Sequence, residues 1–265
     1  MKTQTVNGIQ LAYVDAGAGR PVVLVHGFPL DHSMWKAQIG ALSESYRVIA
    51  PDLRGFGRSG VSEGTVTMQQ FADDLAALLD ALQVDEPVVL CGLSMGGYVA
   101  WQFWRRHGWR LGGLILCDTR AVSDTPQAAA ARREMAQRVL REGPAPLVAQ
   151  MMPKLFAPST AKDQPEVVES LRRVMLKTDP RGIAAAARGM AERPEMVSKL
   201  HQIDCPVLVI VGELDVISTV EEMRAIAGAI PRARLVEIAG CGHMAPLERA
   251  AEVSAALREF LGGLA

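Results

Sequence analysis

Apolar residues in this chain follow two alternating rhythms. Short apolar runs at 22–25, 47–50, 87–91, 114–117 and 206–211, interrupted only by Arg47 at the start of the second, read as strands buried on both faces. Between them lie stretches with apolar positions every three or four residues. The clearest spans 67–82, where Phe71, Leu75, Leu78, Leu79 and Leu82 fall on one helical face. Residues 33–43, 98–107, 219–230 and 246–261 read as further helices. A pair of short strands at 3–6 and 9–15 flanks Asn7-Gly8, a strong hairpin signal. With a last strand at 234–238 this makes eight strand-like stretches. Strands alternating with helices predict an α/β fold, a mostly parallel eight-stranded sheet with helices on both faces.

The alternation breaks between 121 and 197. That segment shifts to Ala, Arg, Met and Pro, with helical patterns at 125–141, 165–176 and 179–190. Gly143-Pro144-Ala145-Pro146, Pro153, Pro158 and Pro194 read as the separators. The segment is too long for a structureless loop. It predicts a helical lid, 121–197, inserted after the sixth strand of a core formed by 1–120 and 198–265. Its methionines, Met135, Met151, Met152, Met175, Met190 and Met196, are adaptable apolar groups. Some of them, with Leu155 and Phe156, are expected to line a pocket of low polarity, while most lid arginines belong on solvated faces.

Charge narrows the function classes. The net charge is −1 with acids and bases interspersed, so no nucleic-acid or anionic-membrane surface is expected. No apolar run reaches the ~18 residues of a membrane span, and the polar N-terminus leads into no signal-peptide core. The four cysteines, Cys91, Cys117, Cys205 and Cys241, are far apart and show no metal-binding spacing. These features point to a reduced, cytoplasmic protein needing no metal and no other cofactor.

The candidate chemistry centres on Gly92-Leu93-Ser94-Met95-Gly96-Gly97, set between a buried strand and a helix. GxSxG at such a turn is a nucleophile elbow: Ser94 is pushed toward positive φ, and the glycines let strand and helix backbones approach. A serine hydroxyl needs a base to take its proton, and the base needs an acceptor to hold its tautomer. Of the five histidines, His243 lies in a glycine-flanked loop after the last strand and is best placed to reach over the sheet. Asp215, just past a strand end, is the favoured acid. Asp118, past the strand after the elbow, is the alternative acid or a wall of the lid entrance, and Glu213 is a weaker third. Met95 N–H and Phe28 N–H, in His26-Gly27-Phe28-Pro29, are the expected oxyanion donors. Trp35, just after that loop, is expected near the substrate. The glycine-rich loop 51–60 is expected to pack under the elbow.

The set His26-Gly27-Phe28-Pro29, Asp52-x-Arg54-Gly55-x-Gly57-x-Ser59, Gly92-Leu93-Ser94-Met95-Gly96-Gly97, Gly212-x-x-Asp215 and Gly242-His243 resembles the α/β-hydrolase superfamily over essentially the whole chain. Within it the motifs are most similar to those of small serine esterases, 3-oxoadipate enol-lactonases and cofactor-free haloperoxidases (perhydrolases). The resemblance implies a Ser94–His243–Asp215 triad acting on a small-molecule ester or lactone through an acyl-enzyme. Perhydrolase chemistry at the same acyl-enzyme, and a ligand receptor on a hydrolase fold, are the alternatives.

Overall fold

Asn7 and Gly8 take positive φ, 47° and 73°, as a two-residue hairpin requires, in the computed structural model, which describes residues 1–264. The turn joins β1 (Lys2–Val6) to β2 (Ile9–Ala16). The remaining strands are β3 (Pro21–Val25), β4 (Arg47–Pro51), β5 (Val88–Leu93), β6 (Leu111–Cys117), β7 (Val207–Gly212) and β8 (Ala233–Ile238). They form one eight-stranded sheet in the order β1-β2-β4-β3-β5-β6-β7-β8. Only β1–β2 and β2–β4 pair antiparallel; every other pair is parallel. This is the expected α/β-hydrolase sheet. β6 starts three residues earlier than its apolar run because Gly112 and Gly113 hide it from a hydrophobicity reading. Gly113 leaves room for Phe260 and Leu264, which a side chain there would crowd.

Alternation along each strand sends neighbours to opposite faces. Val23, Val25, Leu90, Leu114 and Val209 enter one apolar cluster, whereas Val22, Leu24, Val89, Ile115 and Leu208 enter the other. A short 3₁₀ turn, His32–Trp35, leads into α1 (Lys36–Leu42). The first cluster is covered by α2 (Met68–Ala81) and α3 (Met95–His107), with Phe71, Leu75, Val99 and Phe103 pointing in. The second is covered by α1 and by the C-terminal helices. Thr67 caps α2 by accepting from Gln70 N at 3.1 Å.

Five helices lie between β6 and β7: α4 (Pro126–Glu142), α5 (Ala145–Leu155), α6 (Pro158–Asp163), α7 (Pro165–Lys177) and α8 (Pro180–Ala191). Each carries a proline in its first turn, where the missing N–H costs nothing. Prolines of the insertion therefore open helices as much as separate them. Pro153 is the departure from expectation, because it lies inside α5. Both Pro153 and Ala149, whose carbonyl loses its partner, are exposed, so water serves the carbonyl instead. The chain ends with α9 (Val220–Ala229), α10 (Ala245–Glu248) and α11 (Ala250–Gly262). Arg249, at φ −132°, separates the last two, where one helix over 246–261 was expected. No helix among the described residues is long and apolar enough to cross a membrane.

The insertion has no core of its own. Ala136, Val139, Leu147 and Ile183 join the first cluster, and Val148, Leu155, Leu171 and Met175 join the second. α8 is seated backbone on backbone: a Cβ at Gly182 would overlap Gly55 O, and one at Gly189 would overlap Val66 O. Val66 N also donates to Ala185 O at 3.1 Å. The loop 51–60 thus carries the insertion at Gly55, while its Phe56 packs edge-on against His26 and Phe28 rather than under the elbow. Gly182→Val is expected to cost about 1–3 kcal/mol by overpacking. Gly228→Ala, on an open face of α9, should stabilise by about 0.4–1 kcal/mol. Urea denaturation of the two variants checks this, and similar midpoints would refute the seating of α8.

Candidate active site

Strand order locates the site. After β3 the chain moves outward to β4, then returns to place β5 on the other side of β3. The loops leaving β3 and β5 therefore diverge, which opens a crevice at the carboxyl ends of those strands. The β3 loop carries Phe28 and the β5 turn carries Ser94 and Met95.

Ser94 has φ 53° and ψ −111°, outside the regions that residues with a Cβ prefer. Several contacts hold it there. Its N–H donates to Cys117 O at 3.0 Å, and its carbonyl accepts from Gly97 N at 2.9 Å and Thr119 Oγ1 at 2.8 Å. A Cβ at Gly92 would overlap Gly96 O, and one at Gly96 would overlap Val25 O, so β5, α3 and β3 meet too closely for any other residue. The Ser94 side chain does not cap its helix and is part-exposed. Met95 opens α3, so its N–H has no acceptor within the helix.

Asp215 lies in the loop after β7. Its N–H donates to Gly212 O at 3.1 Å, and its Oδ1 accepts from Ile217 N at 2.7 Å, an Asx-turn that aims the carboxylate. His243 Nδ1 meets Asp215 Oδ2 at 2.8 Å. The carboxylate accepts, so Nδ1 carries the proton and Nε2 is the free acceptor of the neutral ring. Gly242 O lies where a Cβ on Gly212 would be, which brings the His243 loop against the end of β7. The competing acids fall away. Glu213 is exposed and accepts from Gly240 N at 2.8 Å. Asp118 is wholly buried and has φ 44°; its Oδ1 accepts from Gly212 N at 2.8 Å. It is therefore no wall of an entrance, because it lies beneath the site.

The β3 loop is held from below. His26 is buried, with Nε2 accepting from Leu53 N at 3.0 Å and Nδ1 donating to Gly27 O at 2.8 Å. Burial lowers its pKa and keeps it neutral, as this pair of bonds requires. Asp52 accepts from His32 N at 2.9 Å, His32 Nδ1 at 2.7 Å and Arg58 N at 2.8 Å. Burial works to raise its pKa, but these donors outweigh it and hold the carboxyl below its ordinary range. The Phe28–Pro29 peptide is cis. Leu30 N turns back to Gly27 O at 3.0 Å, and among the described residues the Phe28 amide has no backbone acceptor.

The comparisons with known proteins agree with this fold. Residues 22–256 match the Alpha/beta hydrolase family. The chain belongs to that family. A solved structure titled as a thermophilic esterase from Thermogutta terrifontis, malate bound, superposes with TM-score 0.96 at 50% identity, covering 99% of this chain and 97% of that one. The enol-lactonase from Burkholderia xenovorans LB400 superposes at 0.92 with 31% identity, over 98% and 100% of the two chains. In sequence, 3-oxoadipate enol-lactonase 2 of Acinetobacter baylyi is 31% identical over 249 residues, 93% of this chain and 91% of that protein.

Among the described residues of this hydrolase, two cavities lie between the insertion and the core, and a third, of about 220 Å³, lies within the insertion between α4 and α5. The smaller of the first two, of about 240 Å³, is lined by Phe28, Ile217, Ala131, Arg132, Met135, Leu147, Gln150, Met151 and Lys154. It joins the β3 loop and the Asp215 loop to α4 and α5. The other, about 680 Å³, lies between α1, α7 and Pro246–Leu247 and touches none of the expected site residues. Of the expected pocket residues, Met151 lines the smaller cavity. Met152 is half-buried, and Phe156 is buried against the second core cluster. Trp35 is fully buried in that cluster, so its place near the β3 loop in sequence does not bring it to the site. Met175, Met190 and Met196 are core residues. Most lid arginines are paired or solvated, as expected. Arg132 lines the smaller cavity while bound to Asp124 at 2.5 Å.

Asp31, His32 and Asp52 are the group, among the described residues, whose ligand-type atoms converge within 4.8 Å. Hydrogen bonds account for them: Asp31 Oδ1 takes Ser33 N and Oγ, and Asp52 takes the donors named above. The residue that sequence reading missed is Glu248. Its Oε1 accepts from Gly242 N at 2.8 Å, and its Oε2 accepts from Ala157 N at 2.8 Å and Thr160 Oγ1 at 2.5 Å. It ties the His243 loop to the insertion. The signal available was an acidic residue five positions after His243, at the end of the short helix that follows its loop.

Two outcomes follow from these contacts. Glu248→Ala leaves three buried donors unpaired and should destabilise by about 3 kcal/mol or more, whereas Glu248→Gln should recover part of the loss; urea midpoints decide it. The bond to Asp52 raises the His32 pKa despite partial burial. Stability from that pair is therefore full below the ordinary imidazole value of about 6.5 and is lost as pH rises through the higher folded value. The stability gap between wild type and His32→Gln should be wider at about pH 5.5 than at about pH 8.5, and an equal gap would refute the pairing.

Proposed function

We propose that this chain is a serine hydrolase that cleaves carboxylic ester bonds, lactones included, through an acyl-enzyme. The observation that carries the reading is the His243 Nδ1–Asp215 Oδ2 bond of 2.8 Å, on the sheet edge where Ser94 is held at positive φ. Ser94 Oγ attacks the acyl carbon as His243 Nε2 takes its proton. Phe28 and Met95 amides receive the oxyanion that the C=O bond becomes. Collapse breaks the acyl C–O bond, and His243 returns the proton to the leaving alkoxide. Water then attacks the acyl-enzyme with the same base, releasing the acid and restoring Ser94. Asp215 holds the His243 tautomer and stabilises the imidazolium. The helices between β6 and β7 act as the lid, and the cavity beside Phe28 and Met151 takes part of the substrate. The names of the esterase and enol-lactonase relatives support ester and lactone substrates.

A substrate that also bears a carboxylate is a second reading, favoured by Arg132 and Lys154 on the smaller cavity. A drop in kcat/KM for a dicarboxylic lactone in Arg132→Gln, with neutral esters unaffected, would support it. Equal losses on both substrates would refute it. The primary test is steady-state hydrolysis of p-nitrophenyl esters of graded acyl length. Ser94→Ala or His243→Ala should lower kcat by roughly 10³-fold or more, and Asp215→Asn by about 10⁴-fold through the wrong tautomer. Activity untouched in Ser94→Ala would remove the acyl-enzyme reading.

A further inference from the structure

One buried carboxyl beneath the site has no part in the steps above. Asp118 directly follows β6, and its N–H continues the ladder by donating to Ile210 O at 2.9 Å. Its Oδ1 takes the Gly212 amide at 2.8 Å, while its Oδ2 is buried with no donor to it. What faces the carboxyl is acidic or neutral: Asp215 from the loop after β7, Cys117 on its own strand and Cys241 from the loop after β8. Asp118 and Asp215 bind the same residue, Gly212, one through Oδ1 and the other through its N–H, so the two meet at one turn; both Asp215 oxygens already accept, from His243 Nδ1 and from Ile217 N. Two carboxyl groups at one buried turn repel each other when both are ionised, which favours a proton on one of them. Asp215 is engaged by His243, so the proton belongs to Asp118.

We infer that Asp118 is a positioning residue that carries a proton and donates it to the Asp215 carboxylate, so that the Asp215–His243 pair works with a single negative charge. The role rests on the reading of Asp215 and His243 given above. Burial, and after it the charge of Asp215, raises the Asp118 pKa well above the carboxylate range, consistent with the geometry. A charged Asp118 would put a second anion beside the imidazolium and hold the base protonated. A neutral one supplies a third hydrogen bond to Asp215 at no charge.

The decisive variant is Asp118→Asn, which keeps an acceptor for Gly212 N and a donor for Asp215 but has no proton to lose. The full-length wild type should show the infrared C=O band of a protonated carboxyl at neutral pH. That band should disappear in Asp118→Asn and persist in Ser94→Ala, which keeps this readout independent of activity. Asp118→Asn should retain kcat/KM within a few-fold, with the acidic limb of its pH profile unmoved. Asp118→Ala removes the donor and should lower kcat roughly 10- to 100-fold at unchanged KM, with the acidic limb moved to higher pH. The inference is overturned if the wild type lacks the band. It is equally overturned if Asp118→Asn moves the acidic limb down by about one unit, as removing a real negative charge would. Loss of all ester turnover with the band intact would instead indict the hydrolase reading and leave the shared proton standing.

Discussion

Holding one serine at φ 53° is the constraint on which the arrangement of this molecule depends. Such a conformation costs of order 1–3 kcal/mol and persists only where the surroundings over-determine it. Here three strands and a helix do so. β5 delivers Ser94, β6 binds its amide through Cys117 O, Thr119 binds its carbonyl, and α3 departs at once behind two glycines. Gly92 and Gly96 are crowded on the side where a side chain would stand, so the strain is matched by close packing. The same closeness brings Val25 O against Gly96, so the β3 loop starts beside the elbow.

Around that turn the polar groups form a graded set of anchors. His26 and Asp52 secure the β3 loop from beneath, each through partners that match its protonation state. Arg54 and Asp74 make a buried bidentate pair of 2.7 Å bonds that secures the start of the glycine-rich loop. Glu248 joins the His243 loop to the insertion. Asp52 and Glu248 are each met by two backbone N–H groups, with the His32 ring as the third donor to Asp52 and the Thr160 hydroxyl as the third donor to Glu248. Fixed dipoles of that kind hold geometry at short range without adding a net charge near the reacting groups.

The fold was legible because its strands are bounded apolar runs and its turns carry glycine, as at Asn7-Gly8 and Gly92–Gly97. Ser94, Asp215 and His243 were legible for the same reason: each follows a strand end, and the sheet edge brings strand ends together. What was not legible depends on depth rather than position in the chain. Trp35 and Asp118 both stand next to site loops in sequence, yet one turns into the core and the other beneath Asp215. Glu248 was missed because its partners, Ala157, Thr160 and Gly242, come from distant segments. Pro153 misled because a proline ends a helix only where the carbonyl it orphans cannot reach water.

The seating of α8 bears on how this architecture tolerates change. Gly182 and Gly189 lie seven residues apart, two turns of helix, and each rests on a core loop with no side chain between. A rail fastened at two points keeps its register on the core, and the Glu248 bonds to Ala157 and Thr160 fasten the start of α6 as well. Met135, Leu147 and Met151, which line the smaller cavity, belong to α4 and α5, outside that rail. Most of that cavity wall therefore lies on the insertion, and the core reaches it at Phe28 and Ile217.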